Sequence, residues 1–208
     1  MNTCVQYGCG TCGPEGWINY DSSPTIYLQR MPIIGRFFRG GRFPVFPATV
    51  QSGNIVKGIP QPDASVDLVY CSHVLEHLAL DEISAALKET NRILKKGGTF
   101  RFVLPDLEYY IREYTISKAG DRSMQFMQSS LLGRKHRPRG FEGILRSCFG
   151  GAEHMWMWDF DSMSTQLESA GFLEIRRANF GDSGFEEFAK VEELGRWGNN
   201  LGIQCLKP

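Results

Sequence analysis

At 208 residues, with 42% hydrophobic and 22% charged side chains, the chain has the length and composition of one globular domain, 1–208, with a sizeable core. Lys plus Arg (23) balances Asp plus Glu (23), so no net field points to nucleic acid or a membrane surface as partner. No apolar run reaches the roughly 20 residues of a membrane helix, and strand-like sequence starts at once with no room for a signal peptide; both predict a cytoplasmic protein.

The first predicted strand, Cys4–Tyr7, runs into Gly8-Cys9-Gly10-Thr11-Cys12-Gly13. That string matches the dinucleotide fingerprint, which also requires a helix after the glycines and an acid about 20 residues on. Here Pro14-Glu15-Gly16 follows and Asp21 comes almost at once, so no helix fits and a nicotinamide enzyme is disfavoured. A shorter turn lying against a nucleoside remains, with Asp21 closing the second strand, 17–20, and able to accept hydrogen bonds from ribose hydroxyls. The competing reading of Asp21 is a turn acid before Ser22-Ser23-Pro24. Cys9 and Cys12 have the spacing of half a zinc ribbon, but no second pair exists, so no metal is assigned to them and the six cysteines read as thiols.

Residues 11–16 alone separate the glycine turn from the second strand. Fully extended they reach about 20 Å, enough for an extended return but not for a helix. One sheet face therefore loses its usual cover, and another segment or a second subunit, in a homodimer, is expected to supply it. Ser23-Pro24 reads as a helix start, broken near Met31-Pro32. Residues 31–53 mix aromatics, arginines and breakers and read as a lid or substrate loop. A strand is predicted over 54–56.

Residues 66–105 carry the strongest signal. An apolar strand over 66–70 leads into Cys71-Ser72-His73, and Val74-Leu75-Glu76-His77 follows. Ile83, Ala86, Leu87, Ile93 and Leu94 then share one helical face. Asp81 and Glu82 suit that helix's N-terminus, Lys95 and Lys96 its C-terminus, and Gly97 a left-handed cap. A strand over 99–104 ends at Pro105-Asp106. This is a β–α–β unit, and in open parallel sheets ligands bind beyond the carboxyl ends of the strands. Cys71, Ser72, His73, Pro105 and Asp106 all fall at such ends. Helices are predicted over 107–118 and 160–170, strands over 172–178 and 201–206, and residues 119–153 form a second substrate-side insert. The fold class is α/β: a Rossmann-like, doubly wound, mainly parallel seven-stranded sheet with an antiparallel edge strand and a shortened or missing first helix.

On these residues the chain resembles the class I S-adenosylmethionine-dependent methyltransferases. It is most similar to a small bacterial group in which a glycine turn is followed at once by a Gly-Trp-x-Asn-x-Asp segment. The resemblance is carried by Gly8-Cys9-Gly10, Gly16-Trp17-Ile18-Asn19-Tyr20-Asp21, Gly58-Ile59-Pro60-Gln61-Pro62-Asp63, the stretch from Asp67 to His77, and Arg92-Ile93-Leu94-Lys95-Lys96-Gly97-Gly98. It runs over about residues 4–106 and resumes at 154–174. It implies S-adenosylmethionine as cofactor, with Gly8, Cys9 and Gly10 under the methionyl part and Asp21 on the ribose. Asn54 and Ile55 would lie at the adenine, and Cys71, Ser72 and His73 at the sulfonium end.

Methyl transfer from a sulfonium mainly requires alignment and exclusion of water, with a base where the acceptor carries a proton. His73 and His154 are the catalytic candidates for that base. The expected acceptor is a small or carbohydrate-like molecule. Arginines at 30, 36, 39 and 42 and the basic run 134–139 would suit an anionic one. Two other readings stand beside this one. His73-Val74-Leu75-Glu76-His77 also matches HxxEH, in which His73 and His77 would share zinc in a hydrolase. A non-catalytic cofactor-binding or interaction protein is the second.

Overall fold

A computed structural model describes residues 2–40, 43–133 and 153–208. The basic run 134–139 and Arg42 lie outside the described residues. The seven strands are β1 (Cys4–Tyr7), β2 (Trp17–Asp21), β3 (Val50–Ser52), β4 (Val66–Ser72), β5 (Leu94–Pro105), β6 (Leu173–Ala178) and β7 (Asn200–Leu206). They form one sheet in the order β3-β2-β1-β4-β5-β7-β6. The first five pair in parallel, while β7 runs antiparallel between β5 and β6. Among the described residues the α-helices are α1 (Thr25–Arg30), α2 (Leu80–Ile93), α3 (Leu107–Ile116), α4 (Arg122–Ser129), α5 (Phe160–Ser169) and α6 (Leu194–Trp197). No helix among the described residues is long and apolar enough to cross a membrane.

Two local expectations change. The third strand is Val50–Ser52, not 54–56, because the Asn54 side chain accepts the Val56 N–H at 2.9 Å and bends the chain into a turn. Helix α2 ends at Ile93 and passes directly into β5, so Gly97 lies inside the strand instead of capping the helix. The carbonyls at the helix end are met by Lys207, whose Nζ donates to Asn91 and Leu94 at 2.7 and 2.8 Å. Lys95 turns away to Asp67, at 2.8 Å. At the other end, Glu82 accepts the Ala79 N–H at 2.9 Å, the half of a capping box that the sequence offers.

Strand alternation splits the core in two. Val5, Tyr7, Val69, Cys71, Phe100 and Phe102 face α2 and α5, and the burial of Ile83, Ala86, Leu87, Met163 and Leu167 against them locks both helices to the sheet. On the opposite face no helix joins β1 to β2. Its cover is this chain's own C-terminal segment: Phe188, Val191 and Trp197 pack on Cys4, Trp17, Leu68, Tyr70 and Val103. The Phe188 ring lies 5.7 Å from that of Trp17 and 6.1 Å from that of Tyr70. Each such side chain contributes about 1.5–3 kcal/mol, and a second subunit is not needed for that face. Gly202 is required there, since a Cβ would stand 2.3 Å from the Trp197 ring and 2.4 Å from the Ala178 carbonyl.

A buried ion cluster pins the same segment. Arg101, in mid-β5, is fully buried and reaches Glu192, Asp182 (2.8 Å), Gln204 (3.0 Å) and the Asn179 carbonyl (2.6 Å). Its guanidinium also lies 4.5 Å from the Trp197 ring. Burial alone would raise the Asp182 carboxyl, but Arg176, the Asn179 N–H and Arg101 outweigh it and hold it at about 2, below the ordinary 3.8. A folded value below the unfolded one gives stability that is present above about pH 4 and is lost as pH falls toward 2. Urea unfolding across that range is therefore expected to show a shallower loss in Asp182→Asn than in the wild type. Equal slopes would mean that the Asp182 bonds to Arg176, the Asn179 N–H and Arg101 do not stabilise the segment.

Candidate functional site

The glycine turn leaves β1 with Gly8 and Gly10 both at positive φ (62° and 55°). A Cβ on Gly8 would stand 2.2 Å from Val74 Cγ2, so the turn presses directly on the exit of β4; at Gly10 the equivalent space is open to 4 Å. Asp21 ends β2 beside it. Its Oδ2 accepts the Gly10 N–H and its Oδ1 the Ser23 N–H, both at 2.8 Å. The carboxylate is thus both a turn acid and a partly exposed acceptor with lone pairs to spare. Burial, then the charge of Asp21, pushes the Cys9 thiol up to about 12. It stays protonated at neutral pH, which argues against a reactive thiolate in the CxxC pair.

Between this turn and the end of β4 lies a cleft of about 20 Å³, bounded by Tyr7, Gly8, Cys9, Cys12, Ser72, Glu193 and Arg196 among others. It is narrow because Arg196 lies across it, donating Nε to Ser72 Oγ at 2.7 Å and Nη2 to the Ser72 carbonyl at 2.9 Å. The alternation of β4 explains which neighbours take part. Ser72 turns to the cleft, whereas Cys71 points into the α2-side core, where burial raises its thiol far above the usual range. Ile55 is buried in that same core, and Asn54 spends its side-chain oxygen on its own turn. Pro105 completes β5, and Asp106 caps α3 by accepting the Glu108 N–H at 3.0 Å.

Beyond β4 the chain makes a sharp bend at His73 (φ 54°), held by its N–H on the Val103 carbonyl at 2.9 Å. A short 3-10 turn, Leu75–His77, follows instead of the start of an α-helix. His73 and His77 are therefore not one helical turn apart on a common face, as the HxxEH reading requires. Both lie on Glu76. This fully buried carboxylate has Oε1 at 3.1 Å from His73 Nδ1, 3.9 Å from His77 Nε2 and 4.0 Å from His154 Nε2. His154 is delivered by the Glu76 carbonyl, which accepts the N–H groups of Met155 and Trp156 at 2.8 and 3.1 Å. Burial, the largest effect, lowers the His154 pKa. Trp156 is exposed and Trp158 is core.

Beside the cluster, α3 and α4 enclose a cavity of about 300 Å³ lined by Tyr109, Tyr110, Glu113, Tyr114, Arg122 and Phe126. The Tyr110 phenol is raised by burial first and then by the charges of Tyr109 and Glu76. Tertiary structure thus gathers two groups. Gly8, Cys9 and Ser72 line the cleft, with Gly10 and Asp21 bonded to each other in the adjoining turn; His73 and His154 meet at Glu76. Sequence reading missed Arg196, which nothing in its local pattern marks, and the hub position of Glu76. The one signal for Arg101 was a charged residue inside an otherwise apolar strand.

The family described as Methyltransferase domain matches residues 39–102. The curated "Probable methyltransferase ltbC" of Aspergillus luteorubrus is 39% identical over 49 residues, covering 23% of this chain and 17% of that protein. The match therefore spans less than a fifth of the curated relative's length. Among solved structures, a Thermotoga maritima SAM-dependent methyltransferase superposes over 100% of this chain and 83% of its own, with TM-score 0.54 and 20% identity. A SAM-dependent methyltransferase from Archaeoglobus fulgidus covers 99% of this chain and 86% of its own, with TM-score 0.52 and 16% identity. At these identities the likeness to the solved structures is one of fold.

Proposed function

We propose that this chain, a class I S-adenosylmethionine-dependent methyltransferase, methylates oxygen or nitrogen on a small, carbohydrate-like acceptor. The observation that carries the reading is the open glycine turn bonded to Asp21 at the carboxyl ends of β1 and β2. A bound cofactor supplies an electrophilic methyl on a sulfonium. The residues fit it in kind: backbone free of Cβ at Gly10, a carboxylate for ribose hydroxyls, and Arg196 with Glu193 as a cation and an anion for a zwitterionic amino-acid end. Binding would require Arg196 to exchange Ser72 for the ligand's carboxylate, which widens the cleft.

For the acceptor, the α3–α4 cavity has the volume of a small-molecule pocket at the lower limit of about 300 Å³. Its four aromatic rings interleaved with Glu113 and Arg122 suit the C–H faces and hydroxyls of a sugar-like molecule. Each methyl gained by a hydroxyl or ammonium releases one proton, and His73 and His154 are the groups proposed to take it.

The test is calorimetric titration with S-adenosylmethionine and S-adenosylhomocysteine. One-to-one binding is expected, weakened about ten- to hundredfold in Asp21→Ala, as for hydrogen bonds to a charged group of ~1.5–3 kcal/mol. Asp21→Asn, which keeps the turn contacts but not the charge, should fall between. Absent binding, or an Asp21→Ala variant that binds like the wild type, would overturn the cofactor assignment.

A further inference from the structure

Three histidine rings converge on the buried Glu76 carboxylate. A backbone carbonyl only accepts, so the His73 Nε2 that lies 3.1 Å from the Arg196 carbonyl must carry its proton. By the same reasoning the His77 Nδ1, 3.0 Å from the Glu153 carbonyl, is the protonated nitrogen of that ring. In the neutral imidazoles the remaining nitrogens, His73 Nδ1 and His77 Nε2, are lone pairs, and both are turned toward a carboxylate. Glu76 Oε2 and His154 Nδ1 are buried and make no hydrogen bond among the described residues. Among the described residues no Lys or Arg pairs with Glu76. One buried carboxylate and three imidazole rings thus converge on a common centre.

The geometry favours a cation. Ligand atoms of Glu76, His77 and His154 lie within 4.8 Å of one another. Two donors each about 2.1 Å from one ion stand at most about 4.2 Å apart. The distances of 3.9 and 4.0 Å from Glu76 Oε1 to His77 Nε2 and His154 Nε2 fall inside that limit, and the His77–His154 pair, within 4.8 Å, would close by some tenths of an ångström on taking up an ion. His77 is also oriented as a metal ligand commonly is, with its other nitrogen donating to a backbone carbonyl.

We infer that Glu76, His77 and His154 bind one divalent transition-metal ion, leaving at least one position open for water or an acceptor oxygen. This is not the HxxEH arrangement, because the third ligand is His154 and His73 stands outside the triad as a neighbour of Glu76. Two imidazoles and a carboxylate are an N/O donor set suited to zinc and its first-row neighbours. Resting on the methyl-transfer reading, the ion's task would be to bind the acceptor hydroxyl and favour its ionised form. The released proton would pass to His73 or solvent, because a His154 that holds the ion is no longer free to act as the base.

The test is a Zn²⁺ titration of the metal-stripped full chain by calorimetry, run beside an S-adenosylhomocysteine titration of the same preparation. One Zn²⁺ per chain is expected, weakened at least about 100-fold in His77→Ala and in His154→Ala, more than outer-sphere changes do. His154→Cys, which restores a ligand, should recover much of it, and Cys12→Ser, which breaks the CxxC pair, should leave it unchanged. Far-UV circular dichroism establishes that the variants fold. No Zn²⁺ binding, or binding unaltered by both histidine variants, overturns the inference even if the nucleoside ligand binds. Zn²⁺ binding with the expected losses but no nucleoside binding supports the ion site and instead overturns the methyl-transfer reading.

Discussion

Gly8→Ala is expected to destabilise the fold by about 2–4 kcal/mol and to remove measurable S-adenosylhomocysteine binding. Two effects add. An L-residue at φ 62° is held in the left-handed region, which disfavours it by about 1–2 kcal/mol. The new methyl would also stand 2.2 Å from Val74 Cγ2 and 3.3 Å from Cγ1, so the valine must turn or shift to admit it. Val74 sits between His73 and the Leu75–His77 turn, so pushing it away disturbs the Glu76 cluster as well as the glycine turn. Val74→Ala in the Gly8→Ala background should return the steric part but not the backbone part. A double-mutant cycle by urea unfolding separates the two. A Gly8→Ala protein as stable as the wild type would show that the turn yields freely and that glycine is not required there.

The larger stability effect is expected at Arg101. Arg101→Ala leaves Glu192 buried without its partner, and breaking such a pair costs about 3–5 kcal/mol. The carboxylate keeps one contact, the Gly181 N–H at 3.0 Å, which does not neutralise it. Replacing both members, Arg101→Met with Glu192→Leu, should restore most of the stability, because two apolar groups need no partner. Chemical denaturation of the single and double variants measures this directly. A double variant as unstable as Arg101→Ala would mean that the cation–ring contact with Trp197 and the bonds to Gln204 and Asn179 matter more than the ion pair. The consequence reaches the site. The pinned segment carries Arg196, whose side chain holds Ser72 and whose carbonyl accepts from His73. Arg101→Ala should therefore also alter nucleoside affinity, although Arg101 touches no proposed ligand.

The parallel core of this sheet was legible because its signals are local. β4, α2 and β5 announce themselves by apolar strands, a helical stripe and a connection of the right length, and those periodicities follow from backbone geometry alone. The missing first helix was legible for the same reason, since too little chain lies between the glycine turn and β2. The carboxyl-end rule then singled out Cys71, Ser72, His73, Pro105 and Asp106, while the glycine turn and the family resemblance pointed to Gly8, Gly10 and Asp21. The rule could not say which way a side chain turns. Cys71 and Ser72 are adjacent in sequence, yet strand alternation sends one into the core and the other to the cleft.

Strand β3 was misplaced by local reasoning because its pairing with β2 and the Asn54 turn, not its short composition, decide where it lies. Similarly, the end of α2 is set by Lys207 arriving from the far end of the chain, a contact no window around Gly97 contains.

By itself, then, the sequence determined the α/β class, the parallel β–α–β unit and the absent first helix, all consequences of patterns a few residues long. Only the tertiary structure decided what covers the bare sheet face, what closes the cleft and which groups surround Glu76. Those depend on residues 179–199 and on His154, brought back across the sheet by long-range pairing. Burial and charge there are properties of the assembled core, and neither exists until the distant segments meet.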